Sequence, residues 1–378
     1  MIRWFRVILP FSGLVMTFVV IYAVLVGFEV YLEWKIGQPL PSNVTLSLPV
    51  LAGGAALYGL YRAFAFHPVN RPGYRIWLET TPWTSEKPLP LGPIHLVIQD
   101  VVIIALALTA AWPRHHVKSL YVLQVFLIVY LLSMSSALWR TGEKLIAFSL
   151  WFAIGGMVYT TRSFPLFGMI AACTYGLAYW GLRRSLARFP WTLSHWVRGT
   201  QGLEPAFPSL GWPYNRLSPK FFPDLGISIP NAILTSLLVP WWYYVVLSFI
   251  EGPGKLEAAQ AIYSFSMVPI IGGRLLIYLT GYAPPISFRG RIITGRWIIP
   301  GYDQVFVAPL LALIAGIWLP KVLTDRGFGF VEALAVSLIW VLFLILIWGP
   351  SLKTWRLTGS HRIIAPLGSK SGPFVRVG

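Results

Sequence analysis

Of the 378 residues, 56% are hydrophobic and only 11% are charged, and the mean hydropathy is +0.67. Water-soluble domains carry about 25% charged residues. The composition therefore excludes an ordinary soluble enzyme or binding domain, and it predicts an all-α integral membrane protein with no sizeable soluble domain. Thirty Lys and Arg residues against thirteen Asp and Glu give a net charge of +17. In a membrane protein this excess is typical of cytoplasmic loops that face anionic lipid, so no nucleic-acid partner is expected.

Long apolar segments recur along the whole chain. A membrane-spanning helix needs about 20 such residues, and the segments that meet or approach this length predict about ten spans: 7–34, 44–66, 94–112, 119–138, 145–162, 164–182, 229–250, 258–280, 304–320 and 329–349. Most Lys and Arg residues fall on one side of these spans. The positive-inside rule then predicts that both termini are cytoplasmic, and we expect the inner (plasma) membrane of a bacterium.

Three loops on the inner side are long. The loop 183–228 is rich in Trp and Phe and is expected to lie along the lipid headgroups. The loops 67–93 and 281–303 occupy equivalent places, each between one pair of spans and the next. The tail 351–378 is basic and is expected to be extended in the cytoplasm.

The two equivalent loops suggest an internal duplication. A gapless alignment at a shift of 203 residues pairs Pro82 with Pro285, Gly92 with Gly295, Asp100 with Asp303 and Arg71 with Arg274. Six spans separate the two copies, so they would share one orientation, as a parallel repeat does. We therefore expect a first membrane unit of six spans at 1–203, a second of four spans at 204–350, and the tail.

Four charged residues are candidates for an intramembrane or interfacial role: Arg71, Asp100, Arg274 and Asp303. Asp100 and Asp303 stand where an inner loop becomes a membrane helix. They either cap the positive end of the helix dipole or bind a cation, a proton or a basic loop. Arg274 either extends to the interface or faces a substrate. Glu29 and Glu33 lie four apart at the outer end of the first helix, where water is expected to reach them.

The residues that carry enzyme, metal or haem chemistry are sparse. Cys173 is the single cysteine, which excludes a cysteine metal cluster within the chain, and all six histidines lie at span ends, in loops or in the tail, which disfavours haem. No nucleotide-binding, serine-hydrolase or zinc-protease motif occurs. We therefore predict no catalytic, metal or cofactor site, although the role of the chain as an enzyme stays open.

Small residues recur every fourth position on two spans. These are Ala308, Ala312 and Gly316 on one span and Gly168, Ala172 and Gly176 on another. Such spacing lets helix backbones approach closely. Both faces are predicted to be packing faces, within the chain or in a homo- or hetero-oligomer.

The inner loops resemble a feature of ABC-2 type transporter permeases. The run 74–84, Tyr-Arg-Ile-Trp-Leu-Glu-Thr-Thr-Pro-Trp-Thr, continues through Leu91-Gly92 into an apolar span, as a Leu-x-x-x-Pro-Leu/Val-Ser stretch followed by Leu-x-x-Gly does in that family. The second loop, with Pro284-Pro285-Ile286-Ser287 and Thr294-Gly295, resembles a degenerate copy. The resemblance covers about 20 residues in each loop. The family usually has six spans per unit, whereas the second unit here has four.

This resemblance implies a permease subunit that binds a separate cytoplasmic ATPase through its inner loops. The docking residues it implies are Pro82, Trp83, Thr84, Pro285, Ile286 and Ser287. Two other functions remain open on the residues alone. One is a non-catalytic structural or assembly subunit of a larger membrane complex. The other is an intramembrane enzyme that acts on a lipid-linked substrate and uses Asp100 and Asp303.

Overall fold

The computed structural model describes residues 12–40, 45–191, 229–272 and 307–348, together with 292, 293, 295 and 297. Helices joined by short turns account for nearly all of this described part, which contains no β-strand. The chain forms two compact units, Met1–Glu204 and Pro205–Gly378. Backbone groups in a lipid environment must form their hydrogen bonds within the chain, and the helices do so in the apolar segments that the structure describes.

The described residues of the first unit form seven α-helices. They are α1 (Ser12–Ile36), α2 (Ser47–Phe66), α3 (Pro72–Thr80), α4 (Ile98–His115), α5 (Leu120–Arg140), α6 (Lys144–Tyr159) and α7 (Phe164–Ala187). Short 3-10 turns follow α2, α4 and α6. The helix α3 is short and amphipathic, and it lies within the inner loop 67–93, where no helix was predicted.

Side-chain contacts show that the six long helices of this unit alternate in direction. The end of α2 meets the start of α4 at Arg62, and Arg140 at the end of α5 donates to Asn70 just after α2 at 3.1 Å. The contacts of Glu143 with Arg184 and Arg188 bring the start of α6 to the end of α7. The opposite helix ends meet around Arg114. We refer to these two ends of the unit as the Arg62 end and the Arg114 end.

Close packing of α2 against α5 forms the centre of the first unit. The core between them contains the buried residues Ala55, Tyr58, Val122 and Phe126. The rings of Tyr58 and Phe126 are stacked, with their centroids 5.6 Å apart. Gly59 faces the α5 backbone directly, since a Cβ atom there would lie 2.8 Å from the carbonyl oxygen of Phe126. A glycine at this position permits the close approach of the two helices.

The second unit contains α8 (Ile229–Ser248), α9 (Lys255–Met267), α10 (Val307–Asp325) and α11 (Phe330–Trp348) among its described residues. A five-residue π-helical turn, Val268–Gly272, extends α9. The core of this unit includes Tyr243, Tyr263 and Leu338, so α11 packs against both α8 and α9. The hydroxyl group of Tyr263 donates a hydrogen bond to the carbonyl oxygen of Gly316 at 3.0 Å, which joins α9 to α10.

Six helical segments in the described part are long and apolar enough to cross a membrane: Gly13–Ile36, Ile98–Arg140, Lys144–Arg162, Ile229–Ser248, Val307–Asp325 and Phe330–Ile347. The prediction of a multi-pass helical membrane protein is confirmed at this level. The 43-residue segment Ile98–Arg140 reverses direction at His116, whose φ is 46°. A straight helix would place Ile94 and Tyr130 roughly 54 Å apart, whereas they share a 3.0 Å hydrogen bond.

The two small-residue faces have different surroundings. Ala308, Ala312 and Gly316 are buried, and a Cβ atom on Gly316 would contact Tyr263, Met267 and Val341. This face therefore packs within the chain. Gly168, Ala172 and Gly176 are exposed on α7. Several predicted features lie outside the described residues: Arg274, Pro285, Ile286, Ser287, Asp303, most of the loops 183–228 and 281–303, and the tail.

Candidate functional site

A buried ion pair between Arg62 and Asp100 joins α2 to the start of α4. The Nε atom of Arg62 lies 2.8 Å from Oδ1 of Asp100, and the two side chains are 0% and 1% exposed. Removing two charges from water is costly unless they are paired and hydrogen-bonded. A buried pair of this kind therefore either holds the helices together or belongs to a functional site.

Both oxygens of the Asp100 carboxylate have bonding partners. Its Oδ1 atom also accepts a hydrogen bond from the hydroxyl group of Tyr58 at 2.6 Å. Its Oδ2 atom accepts one from the backbone N–H of Val97 at 2.8 Å, in the position of a helix-capping carboxylate. Asp100 therefore caps the start of α4, which is one of the two roles that its place in the sequence suggested. The residue is also only 1% exposed.

The guanidinium group of Arg62 holds the loop that enters α4. Its Nη2 atom donates to the carbonyl oxygens of Pro93 and His95, each at 3.1 Å. Its planar group lies over the ring of Phe66, 4.5 Å from the centroid. Desolvation and the nearby positive charge of Arg62 lower the pKa of His95. One buried cation therefore fixes the path of the loop.

Two tyrosines fix the same loop from other helices. The hydroxyl group of Tyr130 in α5 donates to the carbonyl oxygen of Ile94, and the backbone N–H of Leu96 donates to the hydroxyl group of Tyr175 in α7 at 3.2 Å. Together with Arg62, these bonds connect the loop to α2, α5 and α7. A displacement of the loop would therefore strain or break its bonds to several membrane helices.

His67 forms a second buried polar site where α2 ends. Its side chain is fully buried and is stacked on Trp191, with ring centroids 5.5 Å apart. The backbone N–H of Val69 donates to Nδ1, so the neutral ring carries its proton on Nε2. Burial, with a smaller contribution from Arg140, lowers the pKa of His67 to about 3. The ring is therefore neutral at physiological pH.

The depressed pKa of His67 predicts acid sensitivity. The unfolded chain has a histidine pKa near 6.5 and takes up a proton that the folded chain does not. Stability should therefore be complete above pH 6.5 and fall by about 1.4 kcal/mol per pH unit as the pH drops from 6.5 toward 3. Denaturant titrations of the purified protein between pH 7 and 5 measure this slope. The variant His67→Phe should reduce it, whereas His116→Gln at an exposed position should not. An unchanged slope in His67→Phe would contradict the assignment.

The segment 71–92, which we call the platform, covers the Arg62 end of the first unit. Helix α3 presents Ile76 and Trp77 outward, 43% and 47% exposed. Pro82 and Thr84 are also exposed, and Arg71 stands exposed at the start of α3. These exposed positions include two of the predicted docking residues and one of the predicted interfacial charges.

Trp83 differs from its neighbours on the platform because it has structural contacts. Its ring packs edge-on against Phe189, with centroids 5.5 Å apart, and Phe189 in turn packs against Trp191. Its Nε1 atom donates to the carbonyl oxygen of Pro88 at 3.4 Å. The amino group of Lys87 donates to the carbonyl oxygen of Pro82, which closes the turn. The platform is therefore held both to the helix ends and by internal bonds.

A polar cluster at the Arg114 end was not predicted. Glu29 is 4% exposed and accepts hydrogen bonds from the backbone N–H groups of Leu46 and Ser47 at 2.6 and 2.8 Å. Arg114 pairs with Glu33 at 2.5 Å. The expectation that water reaches both acids is wrong for Glu29, because it caps the start of α2 from another helix. This cluster attaches α1 to α2 and α4.

The sequence identified Asp100 but missed its partner Arg62. Arg62 lies inside an apolar run, four residues before the end of the second predicted span, and was not among the candidate residues. Its location within a helix was the signal that it needs a buried partner. In the described part of the chain, no group of three or more His, Cys, Asp and Glu residues could hold a metal ion.

No protein-family model matches the chain, and neither a curated protein nor a solved structure matches it significantly.

Proposed function

We propose that this chain is the multi-pass permease subunit of a transporter and that a separate cytoplasmic ATPase docks on its platform. The observation that carries the proposal is the platform itself. It presents exposed apolar side chains such as Trp77 and Ile76, and Trp83 attaches it to Phe189 just beyond α7. It continues directly into the loop 93–97, which polar contacts fix to α2, α5 and α7. Exposed apolar groups in a polar setting are typical of protein interfaces. The resemblance of this segment to ABC-2 permeases supports the choice of an ATPase.

The rigid attachment of the platform suits energy coupling. A force applied by a docked protein reaches several membrane helices only if the contact surface does not move independently of them. The platform meets this requirement through Trp83, which packs on Phe189, and through the adjoining loop 93–97, which Arg62, Tyr130 and Tyr175 bond to three different helices. A transport cycle would then shift these helices relative to one another.

We also propose ten membrane crossings with both termini in the cytoplasm of a bacterial cell. Among the described residues, six long alternating helices in the first unit and four helices in the second support this count. The distribution of cations in the first unit supports the orientation. The Arg62 end carries Arg71, Arg75, Lys87, Arg140, Lys144, Arg183, Arg184 and Arg188, against Lys35, Arg114, Lys118 and Arg162 at the Arg114 end. The parallel repeat is part of the same proposal.

A structural or assembly subunit is the second candidate. The contacts of the buried polar residues favour a structural role, because Asp100, Arg62 and Glu29 all bond one helix to another or to its start. The third function, an enzyme acting on a lipid-linked substrate, would need the buried Asp100 carboxylate to become accessible to that substrate. We therefore consider the enzyme function less well supported than the other two.

Charged substitutions on the platform test the docking proposal. Ile76→Glu and Thr84→Glu alter exposed side chains and should abolish copurification of ATP-hydrolysing activity with the tagged protein in mild detergent. Val117→Glu is the matched control, because Val117 is 70% exposed at the Arg114 end. It should retain the ATPase. Trp83→Glu should instead reduce the yield of folded protein, since Trp83 packs on Phe189.

The same experiment separates the two leading candidates. A permease subunit predicts ATPase activity that copurifies with the original protein and is lost in the two platform variants while folding is retained. If the original protein carries no ATPase and both variants remain folded, the docking proposal is wrong and the structural-subunit reading replaces it.

A further inference from the structure

A groove runs along the second unit between α9, α10 and α11. Its volume is about 590 Å³, which lies within the range of about 300–1,000 Å³ that is common for small-molecule sites. Tyr263, Met267, Leu313 and Ile317 contribute to its mainly apolar wall. Between Leu313 and Asp325 the groove follows α10 for about 18 Å at 1.5 Å per residue. One leaflet of a bilayer core is about 15 Å thick, so the groove has the length of a lipid acyl chain in its leaflet.

One end of the groove is polar. Gln260 near the start of α9 and Lys321, Thr324 and Asp325 at the end of α10 line it there. Lys321 and Asp325 are four residues apart and so lie on one face of α10. Both are exposed, and neither forms an ion pair or a side-chain hydrogen bond within the described part of the chain. A cation and an anion are thus available together at the mouth of an apolar groove.

We propose that this groove binds one phospholipid whose headgroup carries a phosphate, a primary amine and no further charged group, that is, phosphatidylethanolamine. The apolar wall contacts an acyl chain, the ammonium group of Lys321 pairs with the phosphate, and the carboxylate of Asp325 pairs with the amine of the headgroup. The charge pattern selects this headgroup because an anionic lipid such as phosphatidylglycerol would satisfy Lys321 but would offer Asp325 only neutral glycerol hydroxyl groups and no cation. The site is separate from the platform and stands whether or not an ATPase docks there.

Variants of the full chain test each part of this assignment. Leu313→Trp fills the groove, Lys321→Gln removes the phosphate contact and Asp325→Asn removes the amine contact. Ile314→Trp is the matched control, since Ile314 is an exposed neighbour on α10 that does not line the groove. The probes are phosphatidylethanolamine and phosphatidylglycerol with identical acyl chains, added to delipidated protein and counted as bound molecules by native mass spectrometry.

The unsubstituted protein and the Ile314→Trp variant should each bind one phosphatidylethanolamine molecule, with higher affinity than they bind phosphatidylglycerol. Leu313→Trp should lose this molecule, and Lys321→Gln should weaken its binding about fivefold. Asp325→Asn should weaken phosphatidylethanolamine binding and leave phosphatidylglycerol binding unchanged or tighter. Retention of the lipid by Leu313→Trp would overturn the site, and equal binding of the two lipids by the original protein would overturn the headgroup assignment. Lys321→Gln keeps the test valid if Leu313→Trp does not fold, because Lys321 is exposed.

Discussion

Replacing Arg62 with methionine is expected to lower the free energy of unfolding by about 3–5 kcal/mol, the cost of breaking a buried ion pair from one side. The substitution leaves the Asp100 carboxylate buried beside Tyr58 without a cation, and it also releases the carbonyl groups of Pro93 and His95. A denaturant titration of the purified protein in mild detergent measures the loss. The exposed Arg71→Met variant is the control and should change stability by less than about 0.5 kcal/mol.

A double-mutant cycle separates the ion pair from its other contacts. Asp100→Asn keeps a side chain that can bond to Tyr58 and removes the charge, so the Arg62→Met/Asp100→Asn variant should be less destabilised than the sum of the two single variants. If the losses in unfolding free energy of the two single variants simply add, the Arg62–Asp100 pair makes no specific contribution to stability. The same conclusion follows if Arg62→Met is as stable as Arg71→Met.

Replacing Gly59 with alanine is expected to destabilise the first unit by about 1–3 kcal/mol through overpacking. The new Cβ atom would lie 2.8 Å from the carbonyl oxygen of Phe126 and 3.1 Å from the amide nitrogen of Tyr130. Both are backbone atoms of α5, so α2 and α5 must separate. This separation would also disturb the stacked rings of Tyr58 and Phe126.

Gly53→Ala provides a control within the same helix. A Cβ atom on Gly53 has no neighbour within 4 Å, so alanine there should be neutral or stabilising by up to about 1 kcal/mol, because alanine favours helix formation over glycine. Comparing the two variants in the same denaturant titration removes the contribution of helix propensity. Equal stability of Gly59→Ala and Gly53→Ala would show that α2 and α5 are not in close contact.

The positions of the long helices could be predicted because the bilayer makes long apolar runs necessary and backbone bonding makes them helical. The segment 119–138 corresponds to α5 at Leu120–Arg140, and 329–349 corresponds to α11 at Phe330–Trp348. The same argument cannot identify α3. A nine-residue amphipathic helix carries too few apolar residues for a span signal, and Pro72 and Gly73 at its start also indicate a turn.

The partners of the polar residues could not be predicted, since they depend on which helices become neighbours. Asp100 was recognised from its place at a helix start, but nothing in the spacing of the sequence assigns Arg62 to it, 38 positions earlier. Glu29 illustrates the same limit. Its position suggested an exposed helix end, yet the side chain is buried. Its carboxylate accepts hydrogen bonds from the backbone N–H groups of Leu46 and Ser47 and so caps α2.

The central claim is that the platform is a cytoplasmic docking surface, and cysteine labelling tests its location most directly. In a Cys173→Ala background, Thr84→Cys marks the platform at the Arg62 end and Val117→Cys marks the Arg114 end, and both side chains are exposed. A membrane-impermeant maleimide should label Val117→Cys in intact cells and Thr84→Cys only after lysis. Labelling of Thr84→Cys in intact cells, with Val117→Cys protected, would place the platform outside the cell and contradict the account.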